Sequence, residues 1–296
     1  MGGNGRSSTE LYSPEGKCNQ FLAPIPINGN NFEIILTYLN QKIFACGGFT
    51  NRDCWQYNVA SNSWSLYTTA KFTHNFQAAA VYNNKLYIVD DYNPEIFDPT
   101  TNVWSAWTAP PNRSGDGPCL VTVDDTFILI GGYAKRRSVQ IYSHATKSWK
   151  VMTPDIPAEM VYPGCILLPN AEDILVVGSE EPPFLSASSL YNVKTNTFKR
   201  LADVAFNRAG TKLINFGDRI FAADGHGGSS VEEFFPSTNT WKRISVDLKE
   251  WRGGHFGSIV LPASIFSNIP GGCTGVSGNN RFFQELYILI CFLSEE

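Results

Sequence analysis

The chain has 296 residues, and its 43% hydrophobic and 13% aromatic content is enough for a buried core. The net charge of −4 argues against nucleic acid as a partner, because proteins that bind phosphate backbones carry a positive field. The longest apolar run, residues 286–293, is far shorter than the ~20 residues that cross a bilayer, so we expect no membrane insertion. The first ten residues have neither the basic nor the apolar region of a signal peptide.

Residues 42–64, KIFACGGFTNRDCWQYNVASNSW, contain the pattern that organises the chain. They predict a strand that ends at Gly47-Gly48, a second strand that ends at Tyr57 and, after a polar turn, a third strand that starts at Trp64. This aromatic pair, seven residues apart, recurs at Phe97/Trp104, Tyr142/Trp149, Tyr191/Phe198 and Phe234/Trp241. The residues within each pair are mostly Asn, Ser, Thr, Asp and Pro, which favour turns, so each pair is predicted to span a hairpin.

Two more strands are predicted before each hairpin. One ends in a glycine or acidic doublet, as in KIFACGG, KLYIVDD, TFILIGG, DILVVGS and RIFAADG. The other is short and apolar, at residues 32–36, 78–81, 120–123, 165–168 and 212–214. Successive units are 40, 45, 49 and 43 residues apart at the last aromatic, close to the spacing of about 40–50 residues that is typical of propeller blades.

An apolar strand, Gly-Gly, Tyr and then Trp seven residues later is the pattern of kelch repeats, and the chain resembles the kelch family over residues 2–261. The resemblance implies an all-β, six-bladed propeller with four-stranded blades, in one domain of residues 1–262. Its last blade is split between the termini, with two strands near Tyr12 and one at residues 255–262. Within the tail, residues 263–296, the stretch 285–293 either supplies the missing second strand or is a loose end.

The seven cysteines are too few for a disulfide scaffold, but two pairs are candidates. Cys46 ends one strand and Cys54 begins the next, so a bond between them is plausible. Cys18 and Cys273 fall near the split blade, where a bond would staple the closure. Cys119 and Cys165 start innermost strands and are predicted to be buried free thiols. The compartment stays open: it is extracellular if the pairs are oxidised and cytoplasmic otherwise.

The residues give little support for catalysis. His74 and His255 are predicted to be structural, His144 to be solvated in a turn, and the carboxylate pairs Asp90-Asp91 and Glu180-Glu181 to be solvated charges. The enzymatic alternative is a galactose-oxidase-like protein, but the two His and two Tyr of such a copper site do not form a recognisable cluster here. We therefore expect neither enzymatic activity nor a cofactor.

The resemblance instead implies a ligand site on the loop face around the central channel. The candidate contacts are Arg52, Asp53, Tyr92, Asn93, Arg113, Lys135, Arg136, Arg137, Phe184, Arg208, His226 and Arg252. Since arginine recognises carboxylates in a fork, we expect a monomeric scaffold that binds a protein or an acidic peptide. Two alternatives stay open: an extracellular recognition or glycan-binding module, and a purely structural role for Arg113, Arg208 and Arg252, each two residues before a glycine.

Overall fold

The computed structural model of the chain describes residues 7–15, 18–26, 34–48, 51–74, 77–180, 182–183, 185–251, 256–262, 265 and 286–293. Its strands are β1 Ser7–Tyr12, β2 Asn19–Leu22, β3 Ile35–Leu39, β4 Lys42–Cys46, β5 Asp53–Asn58, β6 Ser63–Thr69, β7 Ala78–Tyr82, β8 Lys85–Val89, β9 Glu95–Asp98, β10 Val103–Ala106, β11 Cys119–Val123, β12 Thr126–Ile130, β13 Val139–Ser143, β14 Ser148–Val151, β15 Gly164–Leu167, β16 Asp173–Val177, β17 Ser188–Asn192, β18 Thr197–Arg200, β19 Lys212–Phe216, β20 Arg219–Ala223, β21 Val231–Phe235, β22 Thr240–Arg243, β23 Phe256–Pro262 and β24 Leu286–Leu293. Among these residues there is no helix long and apolar enough to span a membrane.

The strands form a β-propeller of four-stranded antiparallel sheets. Five sheets use consecutive strands, and we call them blades I (β3–β6), II (β7–β10), III (β11–β14), IV (β15–β18) and V (β19–β22). A further sheet, the closing blade, has the order β2-β1-β24-β23 and so joins both ends of the described chain. The first strands face the centre, where β11 contacts β7 and β15, β19 contacts β15 and β23, and β23 contacts β3.

Within the closing blade, β24 lies between β1 and β23 and is antiparallel to both. Tyr12 is in register with Ile288, and Pro262 with Leu286. The suggested second strand therefore occupies the central position that the split blade required. It pairs with β1, whose other side pairs with β2, and with β23.

The aromatic pairs span the outer hairpins, as predicted. In each of the five contiguous blades the two members are cross-strand partners, for example Tyr57 with Trp64 and Phe97 with Trp104. Their ring centroids are 4.8 to 5.3 Å apart, within the range of favourable aromatic contacts. The outer aromatic also links blades, because the indole of Trp64 donates to Ala23 O at 3.0 Å. The aromatic pair that repeats in the sequence is thus a packing contact that repeats in every contiguous blade.

Most predicted first strands agree with the structure to within two residues, but blade I differs. Its first strand runs from Ile35 to Leu39, three residues later than predicted. The sequence NFEIILTYL is apolar along most of its length, so polarity alone does not define where the strand begins. Register decides it, because Leu39 pairs with Lys42 across a two-residue turn.

The cysteines give one predicted bond and one correction. The sulfurs of Cys46 and Cys54 lie at disulfide distance, 2.15 Å, on paired residues of β4 and β5. The prediction that Cys119 and Cys165 are free thiols is wrong, since their sulfurs are 2.16 Å apart. These residues lie in the first strands of blades III and IV, which meet at the channel with a Cα separation of 6.0 Å. Cys273, the predicted partner of Cys18, lies outside the described residues.

Candidate binding face

One face of the propeller carries the loops after each second strand and the loops before each first strand. We call it the loop face. Backbone hydrogen bonds tie the two kinds of loop together around the channel: Tyr133 N donates to Asp116 O at 2.8 Å, and Met160 N donates to Arg136 O at 2.8 Å. Hydrogen bonds between neighbouring loops therefore hold the loops in fixed positions.

Arg113 and Tyr92 form the first feature of the loop face. The guanidinium carbon of Arg113 lies 4.3 Å from the centre of the Tyr92 ring, and the Tyr92 side chain is 70% exposed. Among the described residues, no hydrogen-bond acceptor for the Arg113 guanidinium is seen. This arginine is therefore held by stacking while its N–H groups face solvent.

The surroundings fix this pair in place. Asp90 Oδ1 accepts hydrogen bonds from the backbone of Tyr92 and Asn93 at 2.7 and 2.8 Å. Asp91 accepts from Ser114 N at 2.9 Å, immediately after Arg113. Gln140 binds the backbone of the residue before Arg113 through both ends of its amide. Both the ring and the arginine thus rest on ordered turns.

A second tyrosine–arginine pair lies in the next loop. The Arg136 guanidinium carbon is 5.0 Å from the centre of the Tyr133 ring, and its Nη1 is 3.3 Å from Glu159 Oε2. Arg137 lies 3.7 Å from the other oxygen of the same carboxylate. Two arginines therefore lie against one carboxylate that is about one-third exposed.

A third feature comes from blade IV, blade V and the loop before β23. The Trp251 indole donates to Gly225 O at 2.9 Å, and His226 Nε2 lies 3.5 Å from Glu180 Oε1. Trp251 is 59% exposed. The Glu180 side chain is about one-third exposed beside His226.

Arg208 does not face solvent, which corrects its assignment as a ligand contact. It is completely buried, and its guanidinium donates to Glu232 at 2.8 and 3.1 Å and to the carbonyls of Asp224 and Ser230 at 2.7 Å. Burial lowers the pKa of Arg208, and the bonds to Glu232 oppose that effect. Of the two roles considered for Arg208, ligand contact and structural residue, the structural role is therefore correct.

The remaining candidate contacts lie in separate loops or outside the described residues. Arg52 Nη1 donates to Lys71 O at 3.1 Å, and Asp53 accepts from the Thr69 hydroxyl at 2.8 Å. Both residues therefore make hydrogen bonds within blade I and the segment that follows it. Lys135 is exposed next to Arg136. Phe184 and Arg252 lie outside the described residues.

His74 and Asp90 form a buried polar group below the loop face. His74 Nε2 is 3.0 Å from Glu95 Oε2, and its Nδ1 is 3.5 Å from Asp90 Oδ2. Burial acts to raise the pKa of Asp90, but hydrogen bonds from His74, Asn93 and Tyr92 outweigh it and leave that pKa below its usual value. His74 is structural here, and the prediction that Asp90 is solvated is wrong. His255 lies outside the described residues.

His144 also differs from its prediction. Its ring stacks on Tyr82 at 3.6 Å and lies edge-on to Phe127 at 4.6 Å, at the boundary between blades II and III. Burial lowers the pKa of its imidazole, although Asp125 acts in the opposite direction. His144 is therefore part of an aromatic cluster.

The sequence analysis missed a set of polar residues that position the loop face. Each lies two residues before the first aromatic of a hairpin and holds the backbone of the loop that leads into its own blade: Glu10, Glu95, Gln140 and Glu232. All four are at most 1% exposed. Their constant interval from Tyr12, Phe97, Tyr142 and Phe234 is a signal that the sequence contained.

A cavity of about 270 Å³ beside the channel has no charged side chain in its lining. Residues of β3, β7 and β23 and Leu86 of β8 line it, and Thr37 and Tyr38 are its polar side chains. Among the described residues, no three His, Cys, Asp or Glu side chains are close enough to hold a metal ion.

No family model matches the chain. It is 27% identical over 93 residues to the immune evasion protein OPG047 of vaccinia virus (strain Ankara), which covers 30% of the chain and 19% of that relative. It is 25% identical over 164 residues to alpha-scruin of Limulus polyphemus, which covers 48% of the chain and 18% of the relative. The chain thus spans about a fifth of the length of these relatives.

The fold is similar to the solved structure of YjhT, with a TM-score of 0.66, 14% identity, and coverage of 81% of this chain and 91% of that one. The sequence repeat, the sheets around a common centre and this likeness agree. The chain is a β-propeller with a sequence repeat similar to that of kelch proteins. In this kelch-like propeller, the loop face brings together Tyr92, Arg113, Arg136, Arg137 and His226 from the predicted set, and it excludes Arg208.

Proposed function

We propose that this kelch-like propeller is a non-catalytic scaffold whose loop-face arginines bind acidic residues of a protein or peptide. The observation that carries the proposal is Arg113, whose guanidinium is stacked on Tyr92 at 4.3 Å and has no acceptor among the described residues. A stacked arginine keeps its fork of donors in one plane, so it loses little entropy when it pairs with a carboxylate.

The neighbouring charges extend this site. Lys135, Arg136 and Arg137 follow one another in the adjacent loop, and Glu159 partly neutralises two of them. An acidic partner would meet four cationic side chains across blades II and III: Arg113, Lys135, Arg136 and Arg137. The exposed rings of Tyr92 and Tyr133 add apolar area of the kind that protein interfaces use. The vaccinia relative is named as an immune evasion protein, which is compatible with a protein partner.

We infer in addition that blades I to V and the closing blade act as one six-bladed, monomeric domain. The two cysteine pairs at disulfide distance are compatible with an oxidising, extracellular setting. A recognition module of that setting is the second form of the same proposal.

Selection of random peptides displayed on phage tests the proposed function. We expect peptides rich in Asp and Glu, and an affinity at least about tenfold lower for the double variant Arg113→Ala with Arg137→Ala, as loss of charge-assisted hydrogen bonds predicts. Arg113→Lys should give an intermediate loss, because it keeps the charge but not the fork. Arg200→Ala, which removes an exposed ion pair with Asp203 on β18, is the matched control. Peptides without acidic enrichment, or equal binding by the double variant and the control, would overturn the proposal.

A further inference from the structure

The half of the loop face opposite the arginines has a different chemistry. Blades IV and V and the loop before β23 supply Glu180, His226 and Trp251, which are connected in series. Glu180 N donates to Val161 O at 3.0 Å, and Met160, beside Val161, donates to Arg136 O. The two halves are therefore consecutive parts of one surface.

The indole of Trp251 is held rigidly although most of it is exposed. Its Nε1 donates to Gly225 O, and the loop that carries Gly225 is fixed in turn: His226 N donates to Ala209 O at 3.1 Å and Gly227 N to Asn207 O at 2.8 Å. With the N–H group engaged, the exposed part of the ring is its apolar surface, including a negatively polarised π face. A ring that is already held in place loses little conformational entropy when a ligand packs on it.

The carboxylate of Glu180 lies on the other side of the same loop. His226 Nε2 is 3.5 Å from it, and the side chains of both residues are about one-third exposed. Trp251 and Glu180 belong to different loops, and both contact the loop of Gly225 and His226. An aromatic face and a carboxylate on either side of this loop favour a cation, because the ring attracts it through its quadrupole and the carboxylate through its charge.

We propose that Trp251 and Glu180 bind a lysine or arginine side chain of the same partner whose acidic residue binds Arg113. This inference rests on the proposed function and adds a direction to it. The partner segment would cross the mouth of the channel with its acidic residue over blades II and III and its basic residue over blades IV and V. In the reverse orientation, its acid would face Glu180 and its base would face Arg113, so like charges would disfavour that arrangement.

Peptides from the selection above test this proposal. We expect a Lys or Arg at a fixed separation from the acidic residues, and its replacement by Ala should weaken binding about three- to tenfold, as one cation–π contact with a carboxylate predicts. The loss should disappear when the protein already carries Trp251→Leu and Glu180→Gln. Glu180→Lys should reverse the preference at that peptide position from basic to acidic.

Two controls separate the outcomes. Glu172→Lys reverses a charge in the ion pair with Lys194, outside the loop face, and should leave the preference unchanged. Trp251→Phe keeps a ring but loses the bond to Gly225, and near-UV circular dichroism will show that the variants are folded.

Peptides that depend on Arg113 but have no basic position would overturn this inference and leave the proposed function intact. Glycan binding that Trp251→Leu abolishes would reassign the surface and overturn it as well. Loss of acidic selection altogether would instead refute the proposed function.

Discussion

Arg113 and Arg208 have the same place in the repeat, two residues before a glycine, and opposite environments. The residue that holds the loop in each blade explains the difference. In blade V it is Glu232, whose carboxylate pairs with Arg208 inside the protein. In blade III it is Gln140, whose amide is occupied by the backbone of Asn112, so Arg113 turns outward onto Tyr92.

Gln140→Glu should therefore weaken binding of acidic peptides. A carboxylate at this buried position favours a buried guanidinium, because an unpaired charge there is costly, and Arg113 is close in the chain to the loop that Gln140 binds. We expect the affinity to fall toward that of Arg113→Ala, measured by fluorescence anisotropy. Gln56→Glu on β5 of blade I, a partly buried position one residue before Tyr57, is a control for added charge. Unchanged affinity with a folded protein would contradict the explanation.

His144 predicts a pH dependence of stability. Burial depresses the pKa of its imidazole in the folded protein below the value of about 6.5 that it has when unfolded. The unfolded chain thus binds more protons, so the stabilisation is fully present above pH ~6.5 and is lost as the pH falls toward the folded pKa. Comparison of Tm for the wild type and His144→Phe between pH 8 and pH 5 should show a smaller decline for the variant. Parallel declines would show that other groups control this range.

At the scale of the element, the outer hairpins share one backbone requirement. The residue before the last strand has a positive φ in all five contiguous blades: Asn62, Asn102, Lys147, Asn196 and Asn239. Asparagine tolerates this conformation better than other residues with a side chain. In two blades its oxygen also accepts a hydrogen bond from the tyrosine five residues earlier, at 2.6 Å in blade I and 3.1 Å in blade IV.

Blade III has a lysine at this position, so Lys147→Asn should stabilise the protein. The amide fits the positive φ of 53° and can accept from Tyr142, which lies five residues earlier. Relief of the strain and one hydrogen bond together predict a gain of about 0.5–1 kcal/mol in the free energy of unfolding. Urea denaturation measures it, with Lys150→Asn on the neighbouring strand as control. A loss of stability would show that Lys147 has a contact that the repeat does not explain.

These hairpins were predictable because all their determinants are local. The interval from Tyr57 to Trp64, the turn residues between them and the preceding doublet lie within one stretch of sequence. The start of β3 was not, because register against β4 rather than polarity decides it. The burial of Arg208 was not either, since its partner Glu232 is 24 residues away and belongs to another strand.

At the scale of the whole molecule, the two described disulfides have different spans. Cys46–Cys54 joins strands of one blade with a separation of 8 residues, and Cys119–Cys165 joins two blades with a separation of 46. The second bond escaped prediction because it depends on how neighbouring blades meet at the channel. The strands that this bond joins, β11 and β15, follow directly from the loops that carry Arg113 and Glu159. The bond therefore also restrains those loops.

Removal of the inter-blade bond should cost more stability. Because the entropy that a cross-link removes from the unfolded chain grows with loop length, we expect about 4 kcal/mol for Cys119→Ser with Cys165→Ser and about 2.5 kcal/mol for Cys46→Ser with Cys54→Ser. Urea denaturation of the two double variants tests the order. A larger loss for the Cys46 pair would contradict the span argument.

The position of β24 between β1 and β23 also determines when the molecule can be completed during its synthesis. The ribosome makes β1 first, but Tyr12 pairs with Ile288, which is made near the end of the described chain. At translation rates of about 5–20 residues per second, β1 waits roughly 15–55 s for its central partner, while blades I to V can form in order behind it. A nascent chain therefore presents an incomplete closing blade between the synthesis of β1 and that of β24.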